Sequence, residues 1–349
     1  MKKFSELANA NTMSQSLADV ALYFDSSFSE IKNIAGNKNI IVITDENILS
    51  FHEEKLTSFN CISIPAGEKN KTQQTVDKIT KALIEAEAGK DTLLVGVGGG
   101  VVTDITGYVA SVFMRGISFG LVPTTILCMV DAAIGGKNGV DVGVYKNLVG
   151  TIRQPEFILY DHSFLQTLSA NEWVNGFAEV IKHACIQDEA MFARLEKHSL
   201  PDIQNDPALL KEVIEQNVMI KAGIVARDEF EKGDRKLLNF GHTIGHAIEN
   251  LYQLPHGHAI SIGMVAACNL SEKLSGLHFD GARRIVELLA HYKLPVDLEV
   301  DHEKIFELIK MDKKRSSDKI NFILIESIGK GIVYPLPLEQ LQQLLKDII

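Results

Sequence analysis

The first half of the chain most constrains the fold, because short apolar strands alternate there with helical patterns. Asn39–Thr44 (NIIVIT) is a continuous β-branched run of the kind expected of a strand buried on both faces. Asp45–Glu46–Asn47 ends it. Cys61–Ile64 reads as a second strand, closed by Pro65–Ala66–Gly67. From Thr72 to Ala88, Val76, Ile79, Leu83 and Ile84 keep helical spacing, with Thr72 as the cap. Thr92–Val97 (TLLVGV) is a third strand, running through Gly98–Gly99–Gly100 into a helical stretch, Val101–Phe113. Ser118–Val122 is a fourth, leading to Pro123–Thr124–Thr125. Strand and helix in alternation predict an α/β domain with a largely parallel sheet.

After about Asp161 the texture changes. Helical patterns follow one another at Glu172–Ala184, Ala190–His198, Pro207–Ala226, Leu237–Leu251, Ala259–Leu274 and Asp280–His291. Strand signal returns only at Ile320–Ile325 and Ile332–Tyr334, which with Gly329–Gly331 predict one hairpin. The expected fold class is α/β: an N-terminal Rossmann-like parallel-sheet domain over 1–161 and a mainly α-helical C-terminal domain over 162–349. A length of 349 residues suits two domains.

A net charge of −10 argues against a nucleic-acid partner, whose binding draws on basic patches. Local lysines and arginines can still hold a small anion. The four cysteines (Cys61, Cys128, Cys185, Cys268) are scattered without a CxxC, which excludes a cysteine zinc site and a disulfide framework and fits a reducing compartment. No apolar core follows the two N-terminal lysines, and no run approaches a membrane span, so a cytoplasmic protein with no membrane partner is expected.

Four of the eleven histidines fall within Leu237–Ile260. His242 and His246 stand four apart and share a helix face, while His256 and His258 follow the break at Pro255. Such a stretch suits part of a divalent-metal site, and equally a helix whose imidazoles are all hydrogen-bonded. In Gly176–His183 (GFAEVIKH), Glu179, Lys182 and His183 share one face of an otherwise apolar helix. A Glu–Lys pair three apart is usually a surface ion pair. Here Phe177, Val180, Ile181 and Ala184 leave little polar surface around it, which makes Glu179 a candidate anionic ligand for the histidines. The glycine run Gly96–Gly100 joins strand to helix, where backbone N–H groups approach a phosphate-bearing cofactor or where the chain needs only a tight turn. Ile134–Val149 carries Lys137 and Lys146 in a glycine-rich setting, either as charges for phosphate or carboxylate or as part of a solvated loop. Asp228–Arg235 is a charged loop ahead of the histidine helix, which brings in Glu231 and Arg235.

Further motifs stand in order: PAGEKNK (65–71), GGGVVTD (98–104), MRG (114–116), VPTT (122–125), MVDAAIGGKNG (129–139), YKNLVG (145–150), FAEVIKH (177–183), LLNFGHTIGHAIE (237–249), HGHAISIGM (256–264) and MDKK (311–314). With them the chain resembles, over nearly its whole length, the 3-dehydroquinate synthases of the sugar-phosphate cyclase superfamily. The resemblance implies an NAD-binding first domain, a helical second domain and a site in the cleft between them. It implies a divalent metal, zinc or cobalt, on Glu179, His242 and His256. His246 then leaves its helical neighbour and serves the substrate as a proton-handling or anion-binding group. For NAD it implies Asp45, Asn47, Glu68, Lys71, Gly99, Gly100, Val101, Asp104, Thr124, Thr125, Lys146 and the segment Phe164–Thr167. For a sugar-acid phosphate substrate it implies Arg115, Asp131, Lys137, Asn147, Lys182, Lys221, Arg235, Asn239 and one of Lys313 or Lys314, with Glu231 as proton acceptor.

The reaction implied converts 3-deoxy-D-arabino-heptulosonate 7-phosphate to 3-dehydroquinate and phosphate in the shikimate pathway. A ring hydroxyl is oxidised, phosphate leaves, the ketone is reduced back, the ring opens and an internal aldol addition closes the carbocycle, with no net redox change. A homodimer is implied as well. The chain departs from more familiar members at Thr103, where GGGVVGD has glycine, at AAIGGKNG in place of SSIGGKTG, and at His258, where HGE has glutamate. His258 is assigned no role. Other readings are a related cyclase acting on sedoheptulose 7-phosphate or glucose 6-phosphate, an iron- or zinc-dependent polyol dehydrogenase, and a catalytically silent NAD- or metal-binding regulator. The cyclase alternatives use substrates without the carboxylate that Arg235, Lys221 and Lys313 or Lys314 would meet.

Overall fold

The computed structural model describes residues 1–4, 15–24, 26–143, 145–313 and 318–349. The chain forms two compact units, Met1–Glu172 with Lys221–Phe230 and Trp173–Ile220 with Glu231–Ile349. The first unit runs past the boundary expected at 161 and takes back a later segment. Side chains tie that segment in. Lys221 Nζ donates to the Asp131 carbonyl at 2.7 Å and to the Asp131 carboxylate at 2.6 Å, and Gln154 Nε2 donates to Glu229 Oε1 at 2.9 Å.

A seven-stranded sheet organises the first unit. In chain order the strands are β1 (Lys2–Lys3), β2 (Ala21–Tyr23), β3 (Asn39–Asp45), β4 (Asn60–Ile64), β5 (Thr92–Gly98) and β6 (Ser118–Pro123), then a separate hairpin β7 (Lys137–Val142) and β8 (Tyr145–Ile152), and last β9 (Phe157–Leu159). Their order across the sheet is β1-β2-β9-β6-β5-β3-β4, with every pair parallel except β1–β2. The β-branched runs make its centre: Val42 lies opposite Val95, and Val95 opposite Gly120. Val42, Val95, Val97 and Val122 pack with Phe28, Phe157 and Phe164 in one core cluster. Gly120 has no room for a side chain, because a Cβ there would lie 2.1 Å from the Phe157 ring. From β3 the chain goes outward to β4 and returns to β5 on the other flank of β3. The carboxyl ends of β3 and β5 therefore bound the switch point at which open parallel sheets collect ligands.

Helix Gln73–Glu85 packs through Val76, Ile79 and Leu83, and Thr72 Oγ1 accepts the Thr75 N–H at 3.3 Å as its cap. Ile84, grouped with them by spacing, is 65% exposed. The glycine-rich stretch Ile134–Val149, for which a solvated loop is one of two readings, contains β7 and most of β8, paired antiparallel. Its glycines let the two backbones approach: a Cβ on Gly150 would lie 2.2 Å from the Asn138 carbonyl oxygen. Glycine is depleted in strands, so the residues that permit this pairing also conceal it.

The second unit is mainly helical. It takes helix Ala170–Gln187 from Trp173 onward, Glu189–Leu195, Leu200–Asn205, Pro207–Arg227 as far as Ile220, His242–Tyr252, His256–Leu274, Phe279–His291, His302–Lys313 and Leu338–Ile348. β10 (Lys319–Ser327) and β11 (Lys330–Pro337) form the late hairpin that the sequence predicts. Helices Leu200–Asn205, His302–Lys313 and Leu338–Ile348 are additions to the expected set. The helix expected from Leu237 begins only at His242. Asp234–Asn239 is a 3₁₀ turn, and Gly241 has a φ of 78°, a left-handed conformation that glycine adopts without strain. Among the described residues no helix is long and apolar enough to cross a membrane.

Glycines bring three of these helices into backbone contact. A Cβ on Gly263 would lie 2.0 Å from the Gly241 carbonyl oxygen, and one on Gly257 would lie 2.0 Å from that of Asn175. On Gly245 it would meet the Ala259 carbonyl oxygen at 3.0 Å. Alanine is favoured over glycine in a helix interior by about 1 kcal/mol. Overpacking costs about 1–3 kcal/mol and more when backbone must move. Gly263→Ala is therefore expected to lower the stability of this unit by about 2 kcal/mol, read as a lower urea midpoint. A midpoint equal to or above that of the parent chain would contradict the contact.

Candidate functional site

Glu179, His242 and His256 converge in the second unit, with one ligand atom from each within 4.8 Å of the others. Glu179 is fully buried on helix Ala170–Gln187. His242 and His256 are the first residues of their helices. His242 Nε2 stands 3.6 Å and His256 Nε2 3.3 Å from the same oxygen, Glu179 Oε1. Lys182 Nζ is paired with the other oxygen, Oε2. The glycine contacts explain the convergence. Gly257 N–H donates to Asn175 Oδ1 at 2.6 Å, which pins the start of the His256 helix one turn before Glu179.

The imidazoles are oriented from behind. His242 Nδ1–H donates to the Phe240 carbonyl at 3.1 Å, and His256 Nδ1–H donates to Glu249 Oε2 at 3.3 Å. Burial, with the Lys182 charge adding to it, holds His242 well below the ordinary imidazole pKa, so its Nε2 carries a lone pair. Burial also pulls His256 down, but Glu179 and Glu249 outweigh it and push the ring up to about 9. Two imidazole nitrogens and one carboxylate oxygen form a donor set that suits a divalent ion with coordination positions left over. His246 shares a face with His242, as its spacing predicts, at a ring separation of 5.0 Å. It groups with Glu249 and His256 rather than with Glu179. Glu249 is the residue that spacing passed over, although it continues the face of His242 and His246 at the next helical step.

Other sequence candidates of this unit lie close in chain and space. Asn239 Nδ2 donates to Glu231 Oε1 at 2.7 Å, and Glu231 has a left-handed φ of 57°. Arg235 is buried within the turn Asp234–Asn239. His183 belongs to the packing, with Nδ1 3.1 Å from Asn217 Oδ1. His258 is half-buried on the first turn of its helix. Lys314 and the side chain of Lys313 lie outside the described residues.

In the first unit, candidates gather at the carboxyl ends of β3 and β5. Asp45 Oδ1 accepts the N–H groups of Asn47 at 2.9 Å and Ile48 at 3.0 Å. Gly99 caps helix Gly100–Val112 without a side-chain hydrogen bond, so the first-turn N–H groups, Val101 included, face outward. A Cβ on Gly98 would lie 2.5 Å from Val102. Beside this turn Thr124 Oγ1 is buried without a hydrogen-bond partner among the described residues. An orphaned buried hydroxyl beside open helix N–H groups is a cradle that a phosphate-bearing cofactor fits. Thr125 Oγ1 accepts the Cys128 N–H at 3.1 Å. Lys71 Nζ bonds Asp104 Oδ2 and Asn147 Oδ1, both at 2.5 Å. Burial opposes the Lys71 charge, but Asp104 and Glu68 hold its pKa above the ordinary value. Burial raises Glu68 against the pull of Lys71 and Lys146. Lys221 grips Asp131 as described, while Lys137 and Lys146 are exposed on the hairpin.

Phe164, Thr167 and Arg115 lie away from this turn. The Phe164 ring is buried in the core, edge-on to Phe28 and His52, which leaves only its backbone for a ligand. Thr167 Oγ1 lies 2.8 Å from His52 Nε2. Arg115 is exposed beyond the far end of helix Gly100–Val112. With about 1.5 Å of rise per residue, that is roughly 20 Å from Gly99.

Residues 61–175 match the family model described as 3-dehydroquinate synthase N-terminal, and residues 176–315 the one described as 3-dehydroquinate synthase C-terminal. The 3-dehydroquinate synthase of Pyrococcus abyssi (strain GE5 / Orsay) is 38% identical over 333 residues, covering 93% of this chain and 98% of that protein. A 2-epi-5-epi-valiolone synthase from Streptomyces hygroscopicus subsp. jinggangensis, solved with NAD+ and Zn2+ bound, has a TM-score of 0.85 and 25% identity, covering 95% of this chain and 96% of that one. A 2-deoxy-scyllo-inosose synthase, solved with carbaglucose-6-phosphate, NAD+ and Co2+, shares the fold with a TM-score of 0.82 at 24% identity, over 95% and 96% of the two chains.

Glu179→Ala, His242→Ala and His256→Ala are each expected to weaken divalent-cation binding by at least about 10-fold, and His258→Ala to leave it intact. Equilibrium dialysis against zinc measures this. Loss in His258→Ala with retention in His256→Ala would overturn the ligand assignment.

Proposed function

The chain belongs to the 3-dehydroquinate synthase family, and from that premise we propose that it converts 3-deoxy-D-arabino-heptulosonate 7-phosphate to 3-dehydroquinate and phosphate. By reaction type it is a phosphate-eliminating carbon–oxygen lyase. The observation that carries the reading is the buried Glu179 carboxylate facing two imidazole Nε2 atoms, each fixed from behind through Nδ1. Glu179, His242 and His256 hold zinc or cobalt, and the glycine turn with Thr124 holds NAD. When bound, the metal polarises a substrate hydroxyl and NAD accepts and returns a hydride.

The chain's own side chains supply the rest. The substrate bears a phosphate and a carboxylate, and Lys137, Lys221 and Arg235 are the cations assigned to them. Asn147 and Asn239 orient hydroxyls. Lys182 pairs with the buried Glu179 carboxylate and stands in for part of its lost hydration. Glu231, bonded to Asn239, is the proton acceptor, and His246 moves protons at the exposed edge of the imidazole group. Arg115, exposed beyond the end of helix Gly100–Val112, is a further cation assigned to the substrate. We further assign a homodimer, a cytoplasmic setting and no nucleic-acid partner, the last supported by the net charge of −10.

Zinc-loaded protein with catalytic NAD is expected to release phosphate from the heptulosonate substrate without accumulating NADH. It is expected to act at least about 100-fold less well on sedoheptulose 7-phosphate or glucose 6-phosphate, which leave the carboxylate partners unpaired. Phosphate release from one of those sugars alone would move the reading to a related cyclase, and NADH accumulation with a simple polyol would move it to a dehydrogenase. Ligand binding with no turnover of any of them would leave a silent binding protein.

A further inference from the structure

Both nitrogens of His256 face carboxylates, Nε2 toward Glu179 Oε1 and Nδ1 toward Glu249 Oε2, each at 3.3 Å. We propose that Glu249 is a positioning residue that keeps His256 protonated on Nδ1 and so presents the Nε2 lone pair to the cation. The proposal rests on the metal reading of the Glu179 cluster.

A neutral imidazole carries one proton, and which nitrogen holds it is set by the partner of the other. His242 has a backbone carbonyl for this purpose, the Phe240 oxygen at 3.1 Å. A carbonyl only accepts, so that tautomer is fixed. His256 opens its helix after Pro255, and its Nδ1 meets a carboxylate in place of a carbonyl. Glu249 reaches it from the adjacent helix, seven residues after His242 on the same face. Its side chain is only 8% exposed, so water does not compete for the bond. An ionised carboxylate also only accepts. The amide introduced by Glu249→Gln would not discriminate, because it can accept from Nδ1–H or donate to a bare Nδ1.

The full-length protein, stripped of metal, is titrated with zinc against a chromophoric chelator, and with cobalt while the visible spectrum is followed. Glu249→Gln is expected to weaken both ions by about 10- to 100-fold and to change the cobalt spectrum, since the isosteric amide keeps the volume but not the tautomer. Glu249→Asp keeps the acceptor and is expected to recover part of the affinity. Zinc affinity and a cobalt spectrum unchanged in Glu249→Gln would overturn the proposal while leaving the metal site standing. A parent chain that binds two equivalents, of which Glu249→Gln loses only the weaker, would also overturn it, making Glu249 a ligand of a second ion with His246. Unchanged binding in His256→Ala would remove the metal reading itself, and the proposal with it.

Discussion

The second unit depends on backbone meeting backbone where three helices cross. Gly241, Gly245 and Gly263 let helices His242–Tyr252 and His256–Leu274 touch, and Gly257 seats the second of them against Asn175 on the Glu179 helix. A Cβ at Gly257 or Gly263 would stand 2.0 Å from a backbone carbonyl oxygen of the neighbouring element and push the two apart. The ligand atoms lie within 4.8 Å of one another because the helix axes are this close. Packing at these glycines and chemistry at Glu179 are thus one constraint. It also explains why the His242 helix starts where it does. The left-handed Gly241 ends the preceding turn, and the first helical residue is the one whose ring enters the cluster.

Much of this was legible in the residues, and what was hidden has physical causes. Strands β3 and β5 announce themselves as apolar runs rich in β-branched residues, since a strand buried on both faces has no polar face to interrupt it. The hairpin β7–β8 does not, because Gly139 and Gly150 serve contact between backbones and carry no pattern. Buried Glu179 and Lys182 could be read from the apolar residues around them. The partnership of His242 with His256 could not, since helical spacing favours His246, and only the turn through Gln253 and Pro255 brings His256 back. Phe164 shows how one residue can serve two ends: its ring is buried in the core while its backbone stays in the segment assigned to the cofactor. Helix Leu338–Ile348 went unread although its apolar face, Leu341, Leu345 and Ile348, is regular.

The two units meet their polar obligations in different ways. In the first, Lys71 answers Asp104 and Asn147, and Lys221 answers Asp131, so the charged groups near the glycine turn arrive already paired. Thr124 is left with an unanswered hydroxyl. A buried polar atom without a partner costs about 1–3 kcal/mol. It persists most readily where a ligand supplies the missing bond, as beside the uncapped start of helix Gly100–Val112. The absence of a capping side chain has the same sense, because a Ser or Asp there would occupy the N–H groups that an anion needs.

In the second unit the buried carboxylate is the costly group. Removing an ion from water costs several kcal/mol unless partners replace its hydration. Glu179 has Lys182 on one oxygen and, in the ion-free chain, the imidazolium of His256 on the other. Were Glu179, His242 and His256 to hold a divalent cation, the ion would take the place of the proton on His256 Nε2, so proton and metal would compete for one atom. Exchange of one proton for two positive charges leaves the cluster more positive than before. In a chain of net charge −10 such a local excess is conspicuous. Lys182 deepens it, since a lysine beside a metal-binding carboxylate opposes the cation it helps to hold. A partner that brings negative charge of its own would offset such an excess, and a sugar acid bearing both carboxylate and phosphate does so.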